Sequence, residues 1–173
     1  MKKQEARNYG LKNRKNLTQS ERIDKANRIY QQLVSKIQNA KCVGCYVSFG
    51  NEVDTHAIID LCLALHKKIC VPKVCGKTLQ FYEIHSWQDL QEGYFHILEP
   101  ITSHIVDLHC IDLMIVPLAA FDHQGNRCGY GKGFYDSVLQ VCQRKIGIAY
   151  KEQMVDHIEC DPWDVPLDEI YFA

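Results

Sequence analysis

Residues 112–121, DLMIVPLAAF, are the most apolar stretch of the chain, and a glycine-rich segment and a helical pattern follow directly. A run this apolar reads as a central strand buried on both faces, the usual state of strands in a parallel sheet. Parallel strands need long crossover connections, usually helices. The pattern around it meets that need. Apolar, β-forming runs recur at 42–49 (CVGCYVSF), 68–74 (KICVPKV), 79–84 (LQFYEI) and 145–150 (KIGIAY), and the tail ends in a short strand. Between them lie helical periodicities: Ile23, Ala26, Tyr30, Leu33, Val34 and Ile37 after a cap at Ser20, then Ala57, Ile58, Leu61 and Leu65 after Thr55. A further helix, FYDSVLQVCQ, opens at the glycine segment, and residues 85–110 read as loops with short elements. The alternation predicts an α/β fold: three layers, α/β/α, around a largely parallel, Rossmann-like sheet. No linker or repeat divides the 173 residues, so one domain spanning 1–173 is expected.

Composition narrows the function classes. A net charge of −1 gives no overall basic field for nucleic acid. No apolar run approaches the ~20 residues that span a bilayer. The N-terminal MKKQEARNYGLKNRKNL lacks the apolar core of a secretory signal. Nine cysteines would leave one unpaired in an oxidising compartment, so reduced, mostly buried thiols in the cytoplasm are expected. Cys42 and Cys45, three apart in a strand, face opposite sides and cannot close a metal site by themselves. The histidines at 85, 96, 104 and 109 follow no metal-binding pattern and read as surface groups.

Positive charge is concentrated at the start. Residues 1–16 carry Lys2, Lys3, Arg7, Lys12, Arg14 and Lys15 against Glu5 alone. Such a segment is either a solvated helix face or a source of cations for a phosphorylated ligand.

The segment RCGYGKGFYD, residues 127–136, combines three alternate glycines, two cations and a carboxylate. Neither G-x-x-x-x-G-K-[ST] nor G-x-G-x-x-G fits it. Gly129, Gly131 and Gly133 nevertheless let a ligand approach bare backbone. The helix that follows offers unpaired N–H groups, Arg127 and Lys132 offer charge, and Asp136 can hold magnesium, which takes one or two carboxylates plus phosphate oxygens. Phosphate binding is the favoured reading. In GNEVDT, Glu52 and Asp54 read by themselves as solvated loop charges, with Asp54 or Thr55 capping the next helix.

Four separate segments carry a family resemblance. IVPLAAFDHQGNRCGYGKGFYD (115–136) resembles the 5-formyltetrahydrofolate cyclo-ligase family, also called methenyltetrahydrofolate synthetase. YVSFGNEVDT is similar to its folate-side loop, GIAYKEQMVDHIECDPWDVPLDEI to its C-terminal segment, and Lys3 to Arg7 to its K-x-x-x-R stretch. Phe134, Cys128, Ala6, Trp163 and Leu118 depart from the family pattern and bear on fine substrate contacts. The resemblance implies ATP- and Mg2+-dependent cyclisation of 5-formyltetrahydrofolate, whether or not polyglutamylated, to 5,10-methenyltetrahydrofolate by a monomeric enzyme. It implies Lys3, Arg7, Arg127, Gly129, Gly131, Lys132, Gly133 and Tyr135 at ATP, and Asp136 and Asp168 at magnesium. It implies Phe49, Glu52, Tyr130, Gly131, Lys132, Gly133 and Phe134 at folate, with Arg127, Lys132 and Tyr135 at the reacting groups. A sugar-phosphate isomerase, an acyl-transfer enzyme or a non-catalytic nucleotide-binding module of the same architecture are the alternatives.

Overall fold

The computed structural model of the chain describes residues 1–93 and 96–173. The central sheet contains β1 (Cys42–Cys45), β2 (Lys68–Cys75), β3 (Thr78–Ile84), β6 (Ile105–Val106), β7 (Leu113–Pro117), β10 (Lys145–Ala149) and β11 (Glu169–Phe172). Their spatial order is β11-β10-β7-β1-β2-β3-β6. The pairs β11–β10, β10–β7, β7–β1 and β1–β2 are parallel, while β3 runs antiparallel to both β2 and β6. The largely parallel sheet expected from the sequence is present, and β7 is central and fully buried.

Alternation along the strands builds the layers. Leu113 and Ile115 enter one core with Ile29, Leu33 and Ile37 of α2 (Gln19–Asn39) and Ile58 and Ile59 of α3 (His56–Ala64). Met114 and Val116 enter the opposite core with Val138 and Leu139 of α4 (Phe134–Leu139). Cys42 and Cys45 fall on these two different faces, as their spacing requires. All nine cysteines are free, and six are buried. The histidines at 85, 96, 104 and 109 are exposed. Two hairpins leave the sheet: β4 (Leu90–Glu92) with β5 (Leu98–Pro100), and β8 (Ala120–Phe121) with β9 (Arg127–Cys128).

Four boundaries differ from expectation. The cap of α2 is Thr18, whose hydroxyl accepts from Glu21 N, and Ser20 lies inside the helix. β1 stops at Cys45, because Tyr46 to Thr55 forms a loop closed on itself: Thr55 Oγ1 donates to Tyr46 O and accepts from Ser48 N. Thr55 is thus the residue before α3, but its hydroxyl holds the loop rather than the helix. The 112–121 run divides into β7 and β8 because Gln153 Nε2 donates to both Leu118 O and Ala119 O, which replaces sheet pairing there. α4 ends at Leu139, four residues short of the expected end.

Helix α1 (Lys3–Asn16) packs across β8 and β9 through Ala6, Gly10 and Arg14, one position per turn. A Cβ on Gly10 would stand 2.1 Å from Ala119 O, so only glycine allows this approach. Gly10→Ala should therefore cost about 1–3 kcal/mol through overpacking, or roughly 2–10 °C in Tm for a chain of this size. Helix propensity alone predicts the opposite sign. Calorimetry checks it: an unchanged or higher Tm would show that α1 is not clamped on Ala119.

Candidate active site

The carboxyl ends of the parallel strands form one rim, where ligands of such sheets bind. The loop after β1 and the segment after β9 meet there. Two adjoining cavities open on it, of about 310 and 650 Å3, and they share Pro72, Val74, Leu79, Ile97, Glu99 and Tyr130. Phe49 and Glu52 line the smaller lobe. Arg127, Lys132, Gly133, Phe134, Tyr135 and Asp136 line the larger. Of the residues expected at folate, Phe49 and Glu52 line the smaller lobe, Lys132, Gly133 and Phe134 line the larger beside Arg127 and Tyr135, and Tyr130 lines both.

In the larger lobe, Gly131 and Gly133 have φ of 88° and 68°, the left-handed region that glycine tolerates. Gly133 turns the chain into α4, whose first turn carries Asp136. Arg127 Nη2 donates to Asp136 Oδ1 at 2.5 Å, and the Arg127 side chain is only 7% exposed. Arg127 Nε and the Tyr135 hydroxyl are buried without partners among the described residues. Burial pushes the Tyr135 phenol well up, so it stays a neutral donor. With α4 only six residues long, the two cations carry most of the attraction for an anion here.

The basic N-terminal segment is a docked helix. Arg7 Nε donates to Gly129 O at 2.7 Å, and its guanidinium carbon lies 3.1 Å from where a Gly131 Cβ would stand. Lys3 pairs with Asp161 and Asp164. Burial opposes its charge, but these two acids outweigh it and raise its pKa.

In the smaller lobe, Glu52 receives Phe49 N at 2.9 Å on Oε2 and the Tyr130 hydroxyl on Oε1. Arg14 Nη1 donates to that same hydroxyl at 2.7 Å. Burial raises the Glu52 pKa, while Tyr130, Phe49 N and Arg14 pull it back. Burial and the Glu52 charge push the Tyr130 phenol up, so it too remains neutral. Asp54, by contrast, sits outside this chain of contacts. It accepts from the His56 ring and backbone N–H groups, and the His56 bonds hold its carboxyl at about 2 despite partial burial.

Asp168 is placed elsewhere. Its Oδ2 accepts from Lys145 N at 2.7 Å and pairs with Lys145 Nζ at 3.3 Å, at the amino-terminal edge of β10 and β11. It lines a separate groove with Asp122 to Gly125, the tip of the β8–β9 hairpin, whereas the glycine segment leaves the hairpin's other end. Asp136 and Asp168 are not brought together, and among the described residues no three His, Cys, Asp or Glu groups gather as a metal site.

Two residues at the site escaped the sequence reading: Glu99, which lines both lobes, and Arg14, which donates to the cleft residue Tyr130. Arg14 stands seven residues after Arg7, two helical turns on the same face, and that spacing was the available signal. Glu99 lies in the mixed 85–110 region, where no periodicity marks it.

The profile described as the 5-formyltetrahydrofolate cyclo-ligase family matches residues 1–173. The chain belongs to the 5-formyltetrahydrofolate cyclo-ligase family. The cyclo-ligase of Haemophilus influenzae is 33% identical over 98% of this chain and 96% of its own. Two solved structures superpose on this cyclo-ligase family fold. The 5,10-methenyltetrahydrofolate synthetase of Aquifex aeolicus does so with a TM-score of 0.82 at 33% identity, covering 98% of this chain and 89% of that one. The synthetase of Mycoplasma pneumoniae gives 0.81 at 28%, covering 99% and 98%. The chain is thus an enzyme of this ligase family, whose members take their name from a folate.

Proposed function

We propose that this chain converts 5-formyltetrahydrofolate to 5,10-methenyltetrahydrofolate with cleavage of ATP to ADP and phosphate. The observation that carries the reading is the two-lobed cleft. A half-buried carboxylate, Glu52, lines one lobe, two cations beside bare glycine backbone line the other, and the lobes share a wall.

The formyl oxygen attacks the γ-phosphorus, and ADP leaves. The N10 lone pair then adds to the formyl carbon, which phosphorylation has made electrophilic. N10 gives up its proton, the C–O bond breaks, and phosphate departs. No protein nucleophile takes part. The protein positions two substrates and offsets charge, the usual source of catalysis in phosphoryl transfer.

Arg127, Lys132 and Arg7, with Gly129, Gly131 and Gly133, bind the ATP phosphates, and Lys3 supports that face through the tail acids. Tyr135 supplies a buried hydroxyl aimed at the transferring group, the role its unpartnered oxygen supports. Phe49, Phe134 and Tyr130 flank the folate, and Glu52 accepts from its pterin N–H groups. Asp136 fits a magnesium ion: it lines the larger lobe, is 41% exposed, and its Oδ2 carries no hydrogen bond among the described residues. A bound ion would neutralise phosphate charge there. Asp168, held by Lys145, is left out of that site.

The test follows the near-ultraviolet band of the methenyl product in purified protein given 5-formyltetrahydrofolate. The band is expected only with Mg-ATP, and its absence under those conditions would overturn the reading.

Glu52→Gln separates the lobes. Losing a charge-assisted hydrogen bond costs about 1.5–3 kcal/mol, roughly a tenfold to hundredfold rise in the folate Kd. Mg-ATP affinity should be unchanged. Binding needs the carboxylate, so wild-type folate affinity is present above the Glu52 pKa and is lost as pH falls through it. Because burial raises that pKa above the ordinary 4.5, the loss begins at higher pH than for an exposed acid. The glutamine variant should show no such limb. Equal folate affinity in both proteins by titration would return Glu52 to a solvated loop charge.

A further inference from the structure

Three carboxylates line the two lobes of the cleft: Glu52, Asp136 and Glu99. Two of them are committed. Glu52 uses Oε1 for Tyr130 and Oε2 for Phe49 N. Asp136 holds Arg127 and lines only the larger lobe. Glu99 differs on both counts. It lines both lobes, and no hydrogen bond or ion pair engages its carboxylate among the described residues.

Its place is set by the hairpin of β4 and β5. Glu99 pairs with Gln91 across the two strands, and Gly93 N donates to Ile97 O at 2.8 Å. The carboxyl group lies over Gly93, where an added Cβ would come within 2.6 Å of Glu99 Cδ. The lining around it from β2, β3 and this hairpin is apolar: Pro72, Val74, Leu79 and Ile97. The cations Arg127 and Lys132 enter the same cavity from the glycine segment.

Ring closure separates charge in a way this arrangement matches. The formyl group of the substrate is an uncharged amide. When the C–O bond breaks, the phosphate takes the electron pair, and the N5–C–N10 unit is left as an amidinium cation. The anion forms beside Arg127 and Lys132. We propose that Glu99 is the catalytic carboxylate that stabilises the methenyl cation as it forms, from the junction of the two lobes. This rests on the cyclo-ligase reading given above. Stabilisation that appears only as charge develops lowers the barrier rather than merely tightening substrate binding.

The experiment compares two affinities. Wild type, Glu99→Gln and Glu99→Asp are titrated with 5,10-methenyltetrahydrofolate at mildly acidic pH, where the ring persists, and with 5-formyltetrahydrofolate. An opposite charge within about 4–6 Å favours a charged form by one to three powers of ten. Glu99→Gln is therefore expected to weaken methenyl binding at least ~10-fold and to lower kcat by a similar factor. Formyl binding should stay within about threefold, because the substrate bears no charge there. Glu99→Asp, which keeps the charge, should retain part of the preference for the methenyl form. An equal loss for both ligands, no loss for either, or an aspartate variant no better than glutamine would overturn the proposal. Wild-type turnover is measured on the same preparation. Its absence overturns the functional reading and this inference together, whereas normal wild-type turnover with an unaltered methenyl-to-formyl ratio in Glu99→Gln overturns this inference alone.

Discussion

Asp136→Asn is expected to lower kcat by roughly a hundredfold or more, because metal-assisted charge neutralisation at a phosphoryl group is worth several kcal/mol and each 1.36 kcal/mol is tenfold. The 5-formyltetrahydrofolate Kd should stay within about threefold, since Asp136 lines only the larger lobe. Asparagine is the informative substitution. Its side-chain oxygen can still accept from Arg127 Nη2, which Asp136 now does at 2.5 Å. Alanine would leave Arg127, whose side chain is 7% exposed, without that partner, and would mix a stability loss with a catalytic one.

A merely structural Asp136 gives a different pattern. Its carboxylate is 41% exposed, and asparagine keeps an oxygen for Arg127, so the substitution itself costs the fold little. A structural role would change Tm slightly and leave the magnesium dependence of kcat alone. A metal-binding role raises the magnesium concentration needed for half-maximal turnover and leaves Tm nearly unchanged. Near-normal kcat for Asp136→Asn at ordinary magnesium would remove Asp136 from the metal site, and no other carboxylate lining the larger lobe has the same proximity to the glycine segment.

Some of this was legible in the sequence and some was not, for physical reasons. Strand and helix periods are local, so the sheet and its helical layers could be read from 42–49, 68–74, 112–121 and 145–150. The break after Pro117 is not local. It depends on Gln153 reaching two carbonyls from 35 and 34 residues away, and on Gly10 admitting α1 against Ala119. The glycine segment was legible as a candidate site because glycine, cation and carboxylate lie within ten residues. Asp168 was matched by order along the chain, yet β10 and β11 run parallel and bring it to Lys145, at the far end of the strands. Arg14 looked like one more charge in a basic segment. Only the docking of α1 makes it a buried cation, 6% exposed, set against Tyr130 and Leu118.

That position makes Arg14→Met a test of how the N-terminal helix reaches the smaller lobe. Methionine keeps much of the length and removes the charge. It deletes the 2.7 Å bond to Tyr130 and the cation, 5.6 Å from the Tyr130 ring centre. Tyr130 in turn donates to Glu52, and Arg14 is among the groups that pull the raised Glu52 pKa down. In the variant that pKa rises further. The fold should lose about 2–4 kcal/mol, the scale of breaking a buried hydrogen-bonded charge network. Linkage fixes how this loss varies with pH. A carboxyl group whose folded pKa lies above its unfolded value leaves the fold most stable below the unfolded pKa, and stability falls as pH rises through the window up to the folded pKa. The Tm deficit of Arg14→Met against wild type should therefore be smaller in mild acid than at neutral or alkaline pH. Folate binding should move the other way. It needs Glu52 ionised, so the acid limb of affinity shifts to higher pH in the variant. Mg-ATP affinity should hold, because Arg7, not Arg14, reaches the glycine segment's backbone. Melting curves and folate titrations across pH read the two trends on the same samples. A Tm deficit that does not vary with pH, together with an unshifted acid limb, would show that Arg14 supports the helix alone and has no hold on Glu52.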